Sequence, residues 1–445
     1  MSQINVGIIG FGTVGTGTYQ VLTANREIIS ARVGADVAVK KIADLDIERD
    51  RGVAVDPALL TRDAMEIIDD PAIDVVVELM GGLDTAKGFI LRAMENGKHV
   101  VTANKALLAE HGPEIYQSAE RCGVGLAFEA SVGGGIPVIG AMKGGLSANR
   151  FTTIMGILNG TSNYILTRMT REGAPYSRVV QDAVDLGFAE DPPTLDVEGV
   201  DAAHKLAILI SLAFGSPVSF RDIYREGITA LTPGDIRYAG DFGYSVKLLA
   251  IARRQGDALE ARVHPAMVPK GHILANVNEA YNAIYIEGDF VGPNLYYGLG
   301  AGKDPTGSAV VSDIMDLARR IRAGRNAFTP PLAHVRPPAE AVPIQPMSAL
   351  TSAYYFRFSA KDNPGVLSKI SGVLGDQEIS ISSVIQKGRK INGSVPIVML
   401  THEARESNVK KALSLMDGLD ILTDRTIMIR VEAGTQGVPG TGKTS

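Results

Sequence analysis

The stretch that most limits what this chain can fold into is Ile4-Asn-Val-Gly-Ile-Ile-Gly10-Phe-Gly12-Thr-Val-Gly15. An apolar run of strand length ends on a glycine, and two further glycines complete the spacing G-x-G-x-x-G. The spacing alone is weak, but here it follows a strand pattern and opens a helix pattern. Glycines at these places permit a tight turn and let backbone N–H groups approach a pyrophosphate on a helix N-terminus. A purely structural glycine turn is the alternative. The next segments weigh against it. "VAVKKIA", "IDVVVELMGG", "KHVVTAN" and "GVGLAFEAS" read as strands, and the runs from Val14 onward and over "AKGFILRAMENG" as helices. Such alternation predicts an α/β fold with a Rossmann-type, doubly wound parallel sheet. Gly10, Phe11, Gly12, Thr13, Val14 and Gly15 then form the expected cofactor cradle.

The second strand ends on Asp44, with Asp46 close behind. An acid there bonds the ribose 2′-hydroxyl of NAD and repels the 2′-phosphate of NADP. Lys40, Lys41 and Arg49 are near enough in sequence to offset that repulsion, so cofactor choice stays open with a lean to NAD.

A chain of 445 residues has room for two or three domains. We expect residues 1–132 to form the dinucleotide-binding domain, completed by 303–325. In the second part "SDIMDLARRI" reads as a helix that returns to pack on that domain. Residues 133–302, with the strand "FTTIMGIL" and the helix "GVDAAHKLAILISLAF", read as an inserted α+β domain for substrate binding and dimerisation. Residues 326–350 are proline-rich and predict a stiff, extended linker. Residues 351–432 read βαββαβ, the ferredoxin-like order, and 433–445 as a flexible tail. That tail contains a match to the P-loop pattern, Gly437 to Thr444. The match is one residue short of the chain's last position, so no helix follows to receive phosphates, and a plain tail is favoured.

Charged residues make up 21% of the chain, with a net charge of −5 and both signs interspersed. That gives no support to a nucleic-acid or membrane-surface partner. No apolar run is long enough for a bilayer, and no secretory leader is apparent. The single cysteine, Cys122, excludes an internal disulfide, fits a reducing cytoplasm, and reads as a buried small residue.

Lys105, in "VVTANKALLA", stands at the carboxyl edge of the sheet, where ligands bind in such folds. In "GILNGTSNYI", Gly160 and Thr161 sit between a strand and a helix. They suit a substrate carboxylate, or equally an ordinary helix cap at Thr161 or Ser162. The richest stretch, "LGFAEDPPTLDVEGVDAAHKLAILI", concentrates Glu190, Asp191, Asp196, Glu198 and Asp201 before Lys205. Asp201 and Lys205 share one helix face. Carboxylates hold an ammonium group, and a lysine among them can exchange a proton with a carbonyl. Alone, an acidic loop with one salt bridge would be the better reading. Beside a dinucleotide fold, it suggests hydride transfer on an amino-acid substrate. His204 projects about 100° away on the helix and reads as structural.

At these residues the chain resembles bacterial homoserine dehydrogenases that carry a C-terminal ACT domain. The resemblance runs to about Glu432 and rests on "GFGTVG", "VVVELMGG", "VTANKALLA", "EASVGGGIPVI", "GILNGTSNYI" and "TLDVEGVDAAHKLAIL", in that order. It implies NAD- or NADP-dependent interconversion of L-homoserine and L-aspartate 4-semialdehyde on the route to threonine, methionine and isoleucine. It implies Lys205 and Lys105 as catalytic residues, and Glu190, Asp196, Asp201, Thr161 and Gly160 as substrate-binding. Gly187 and Gly302 join Lys105 among the cofactor contacts. A structural sodium ion is implied at Glu129 and the backbone carbonyls of Val132, Gly134 and Ile136. In "KDNPGVL", Asn363, Pro364, Gly365 and Val366 resemble an ACT ligand loop, with L-threonine the implied effector and Pro364 expected in the first helical turn. A homodimer or homotetramer is implied too. One departure stands out: where the family has E-x-D-P, this chain has Glu190-Asp191-Pro192-Pro193. The competing readings are another NAD(P)-dependent dehydrogenase of small amino or keto acids, a P-loop NTPase, and a non-catalytic amino-acid sensor.

Overall fold

The computed structural model describes residues 3–187, 191–324, 329–336, 342–386 and 394–432. Glu190 and the tail with its P-loop match lie outside the described residues. The first sheet has six parallel strands in the order Leu60–Thr61, Asp36–Ala43, Gln3–Ile9, Val75–Glu78, His99–Thr102, Leu126–Ala127. Its central strand Val75–Glu78 is buried throughout, as expected of a strand covered on both faces. The two-residue edge strand at Leu60 is too short to leave a sequence pattern. The strand expected over "GVGLAFEAS" is also cut to Leu126–Ala127. Beyond it Glu129 leaves the ladder: its N–H donates to Asp313 (2.7 Å), and its carboxylate accepts from the N–H groups of Ile139 and Gly140.

Helix Lys303–Arg322 returns to this sheet, and its Val310, Val311, Ile314 and Leu317 share one apolar core with Ile4, Val6 and Ile8. It approaches helix Thr13–Ala24 at bare backbone. A Cβ on Gly17 would lie 2.2 Å from the Lys303 carbonyl oxygen, so neither helix tolerates a side chain there.

The second sheet has eleven strands. Two are two-residue strands at its sides, Tyr224–Arg225 and Ala404–Arg405; of the other nine, Gly292–Leu299, Tyr281–Gly288, Phe151–Ile157, Tyr244–Gln255 and Ala258–Pro269 form one half. Ile427–Val431, Thr351–Lys361, Ser394–Thr401 and Ile381–Ile385 form the other, the four strands of the expected βαββαβ block. The halves join where Ala266 and Met267 pair in parallel with Arg430 and Val431. Buried ions lock the joint. Arg430 is bonded to Glu406 (2.6 Å) and Glu226 (2.8 Å), Arg262 to Glu432 (2.5 Å) and Glu260, and Arg357 to Asp235 (2.6 Å). Buried charges of this kind are tolerated only when paired.

The described part of the proline-rich segment is not a uniformly extended spacer: it turns near Ala333 (φ 60°) and again at Met347–Ala349, and part of it is paired to the sheet. Leu259 N–H donates to the Pro343 carbonyl (2.9 Å), and Gln345 N–H donates back to Leu259 (2.8 Å). Pro343 lacks an N–H but keeps its carbonyl, so the segment can dock along a strand by alternate residues. Cys122 is the last residue of helix Lys105–Cys122 and is half-buried rather than fully buried. Among the described residues no helix is long and apolar enough to cross a membrane.

Candidate active site

A cavity of about 570 Å³ lies between the two sheets. Thr13, Val14, Lys105, Gly134, Gly160, Thr161, Gly187, Asp196, Asp201, Lys205 and Gly302 all line it. Residues spread over most of the chain thus meet at one place.

Its centre is Asp201. One carboxylate oxygen contacts Lys105 Nζ (2.9 Å) and the other Lys205 Nζ (2.7 Å). Lys205 also donates to the Leu158 carbonyl (2.6 Å). Asn159 Nδ2 bridges Asp201 (2.9 Å) and Asp196 (2.6 Å). Local sequence explains the placement. Gly199, in the left-handed region (φ 77°), opens helix Val200–Phe214, and Asp201 and Lys205 occupy successive turns of its buried face. Asn159 caps helix Gly160–Glu172 through the Ser162 N–H. The cap therefore lies two residues before Thr161 and three before Ser162, the positions that the sequence suggested, which leaves Gly160 and Thr161 on the cavity wall.

The electrostatics follow from burial against charge. Burial pushes the Asp201 carboxyl up, but Lys205 and Lys105 outweigh it and hold the group well below the usual carboxylate range. Burial lowers the Lys205 pKa, and Asp201 restores part of it. Asp196 is raised by burial, against the Asn159 hydrogen bond. His204 points elsewhere, edge-on to Phe220, with its Nε2 buried and unbonded.

The glycine loop borders the cavity. Gly10 has φ 98°, and a Cβ there would come within 2.5 Å of the Leu79 carbonyl carbon. At Gly12 a Cβ would meet nothing within 4 Å, so this is the open face of the turn, where a pyrophosphate can approach. The Phe11 N–H donates to Asp44 (2.6 Å), whose other oxygen accepts from the Asp46 N–H (2.9 Å) and Arg51 Nη2 (3.1 Å). Lys40 and Lys41 do not serve Asp44: they pair with Asp70 (2.8 Å) and Glu66 (2.7 Å). The cation at Asp44 is Arg51, whose Nε is buried without a partner. Sequence reasoning missed Arg51 because it stands on an irregular loop with no pattern. Asn159 was in view as part of a motif, and its position before a helix start was the signal for its role.

The remaining candidates lie apart. Glu129 is buried behind the cavity, beside Lys143 and Asp313. In the terminal block helix Val366–Asp376 starts after Gly365 (φ 86°), so Pro364 precedes the helix rather than filling its first turn. A left-handed residue at Gly365 interrupts the helical path, which can begin only beyond it.

Three family models match the chain: "Homoserine dehydrogenase, NAD binding domain" over residues 10–129, "Homoserine dehydrogenase" over 137–315, and "ACT domain" over 354–418. The homoserine dehydrogenase of Neisseria gonorrhoeae is 45% identical over 97% of this chain and 99% of its own length. That of Pseudomonas aeruginosa is likewise 45% identical, over 97% and 99%. The chain belongs to the homoserine dehydrogenase family. Among solved structures, the homoserine dehydrogenase of Thiobacillus denitrificans superposes with a TM-score of 0.89 at 45% identity, covering 97% of this chain and 99% of the other. A hyperthermophilic archaeal homoserine dehydrogenase in complex with NADPH superposes at 0.61, with 25% identity over 71% and 97%. This homoserine dehydrogenase is accordingly an oxidoreductase that uses NAD(P), with a parallel cofactor-binding sheet, a catalytic domain and a C-terminal ACT domain.

Proposed function

We propose that the enzyme interconverts L-homoserine and L-aspartate 4-semialdehyde through Lys205, in the route to threonine, methionine and isoleucine in the cytoplasm. The observation that carries this is the Asp201 carboxylate shared by two lysines on the cavity wall. The dinucleotide, held by Gly10 to Gly15, Asp44, Gly187 and Gly302, supplies or takes the hydride at the substrate's C4. As the carbonyl bond opens in reduction, its electron pair moves to oxygen, and Lys205 Nζ donates the proton. Two of the three ammonium protons are engaged by Asp201 and Leu158, so the third is free for the substrate. Lys105 shares Asp201 and stands towards the cofactor. Asp196, Asp201 and Glu190 receive the substrate ammonium, and Gly160 and Thr161 its carboxylate. Oxidation runs in reverse and needs neutral Lys205. Burial lowers that pKa, so oxidation rises with pH through a value below that of free lysine, and reduction falls through it. Residues 1–132 with 303–325, 133–302 and 351–432 serve as cofactor, substrate and regulatory units, in a homodimer or homotetramer.

Lys205→Ala should lower kcat by about 10²–10⁴ with a much smaller change in KM for homoserine. The assay is homoserine-dependent appearance of reduced nicotinamide by a variant of normal circular dichroism. A kcat near that of the parent enzyme would remove Lys205 from this role.

Cofactor choice rests on Asp44 against Arg51. Asp44 is anchored by the Phe11 N–H, so its charge stays where a 2′-phosphate would lie, and kcat/KM with NAD should equal or exceed that with NADP. Arg51→Ala should cost NADP about tenfold or more, the worth of one charged hydrogen bond, and NAD about threefold at most. A strong preference of the parent enzyme for NADP would mean that Arg51 dominates.

The sodium reading rests on the resemblance, which implies Glu129 and the main-chain oxygens of Val132, Gly134 and Ile136, all oxygen donors of the kind a hard cation takes; the Glu129 carboxylate also accepts from the Ile139 and Gly140 N–H groups. Melting in sodium chloride should occur above melting in choline chloride at equal ionic strength. Identical curves would dismiss the ion.

The ACT domain is read as the threonine sensor. The N-terminus of helix Val366–Asp376 has no side-chain cap, which leaves N–H groups for an amino-acid carboxylate, with Asn363 beside it. L-Threonine should bind the full chain and lower its rate, while a chain ending at Gln345 does not respond. Threonine without effect on the full chain would end the assignment and leave the dehydrogenase reading untouched.

A further inference from the structure

Asn282 lies on strand Tyr281–Gly288, is fully buried, and has no role in the chemistry described so far. Its Nδ2 donates to the Leu158 carbonyl (2.9 Å). That same oxygen accepts from Lys205 Nζ (2.6 Å). The two donors occupy both lone pairs of one carbonyl. The amide cannot be turned over, because its oxygen would then face the Leu158 oxygen.

The cost of keeping Asn282 is visible. Its Oδ1 is buried with no hydrogen-bond partner, and an orphaned acceptor of this kind destabilises a fold. One neighbour is stripped to backbone to admit it: a Cβ on Gly300 would lie 2.1 Å from its Cγ. Gly160, kept bare by the Ala280 carbonyl oxygen 2.8 Å from where its Cβ would be, is in ordinary contact with Oδ1. Gly160 and Gly300 both line the active-site cavity, so the amide sits directly behind the cavity wall. An apolar side chain of equal size would fill the space without an orphan. Packing therefore does not account for an asparagine here.

We propose that Asn282 is a positioning residue for Lys205. It fixes the Leu158 carbonyl, which holds one ammonium proton, while Asp201 holds the second, so that the third is aimed into the cavity. The proposal rests on the reading of Lys205 as the proton donor. Asn282 also brings the positive end of its amide dipole to the oxygen that steadies the ammonium. The charged groups that face Lys205 are Asp201 on its own helix, Lys105 on helix Lys105–Cys122 and Asp196 on the turn Thr194–Val197. None of these is touched by a change at Asn282.

Asn282→Leu keeps the volume and removes both the donor and the orphaned acceptor. The expected result is a melting temperature equal to or above that of the parent enzyme, with kcat for homoserine oxidation lower by roughly tenfold to a hundredfold, the range that misplacement of a reacting group produces. KM for homoserine should stay within about threefold. The rise of kcat with pH should move to higher pH, because Leu158 then serves Lys205 alone and the opposing dipole is gone. Asn282→Ala is the second variant and should shift the profile in the same direction. A folded variant with the parent kcat and an unmoved pH profile overturns the proposal, as does a loss of kcat that only follows a loss of stability. If Lys205→Ala retains the parent kcat, the proton-donor reading itself fails. If Lys205→Ala is inactive and Asn282→Leu is normal, only the role of Asn282 falls.

Discussion

One carboxylate, that of Asp201, holds two ammonium groups, that of Lys205 buried with it and that of Lys105 half-exposed on the cavity wall. Lys205 comes from its own helix, and Lys105 from the first helical residue beyond a strand of the cofactor-binding sheet. Asp201 thus ties the catalytic domain to the cofactor-binding domain at the wall of the cavity between them. Burial opposes the charges of Asp201 and Lys205 separately. A lone carboxylate there would take up a proton, and a lone lysine would lose one. Paired, Asp201 is held below the usual carboxylate range and Lys205 regains part of the basicity that burial takes away. Asn159 extends the cluster to Asp196, so that the acidic turn and the start of helix Gly160–Glu172 are fixed by one amide.

The cofactor side is organised by a second carboxylate. Asp44 accepts from the Phe11 N–H, which ties the end of the second strand to the middle of the glycine turn. The turn keeps its shape because Gly10 is pressed against the Leu79–Met80 backbone, while Gly12 stays open. A side chain at the first position would break the turn, and at the second it would fill the turn's open face. The motif is therefore two constraints of different kinds on neighbouring residues.

Much of this was legible in the sequence because the elements carry periodic patterns. The strands Gln3–Ile9 and Val75–Glu78, the returning helix Lys303–Arg322 and the four terminal strands all appear as apolar runs of the right length. Asp201 and Lys205 announced themselves by helical spacing. What stayed hidden depends on partners distant in the chain. Arg51 acts from a loop. Asn282 looks like one more residue of a strand, and only the Leu158 carbonyl, 124 positions away, gives it meaning. The shortening of the strand at Leu126 is caused by Asp313, 184 positions from Glu129. No local pattern can report contacts of that range.

The joint between the two halves of the large sheet was equally invisible, and it changes how the ACT domain should be understood. A proline-rich segment suggests a module on a tether. Instead, the last strand of that module, Ile427–Val431, continues the sheet of the substrate unit, and Arg430 is buried against Glu226 across the joint. From Glu226 the contacts run on without a gap. Its N–H donates to the Val263 carbonyl (2.9 Å), and Ile228 donates to Val197 (2.9 Å). Gly227 packs so tightly on Val197 and Glu198 that a Cβ would lie 2.5 Å from the Val197 carbonyl oxygen. Val197 closes the turn that bears Asp196, and Gly199 two residues on opens the Asp201 helix. A shift of the terminal strand therefore has little room to be absorbed before it reaches the carboxylates of Asp196 and Asp201. Close-packed elements of this kind move between discrete arrangements rather than deforming by degrees. A ligand on the terminal block acts on the active site only so far as it prefers one arrangement of that shared strand, since equal affinity for both shifts nothing.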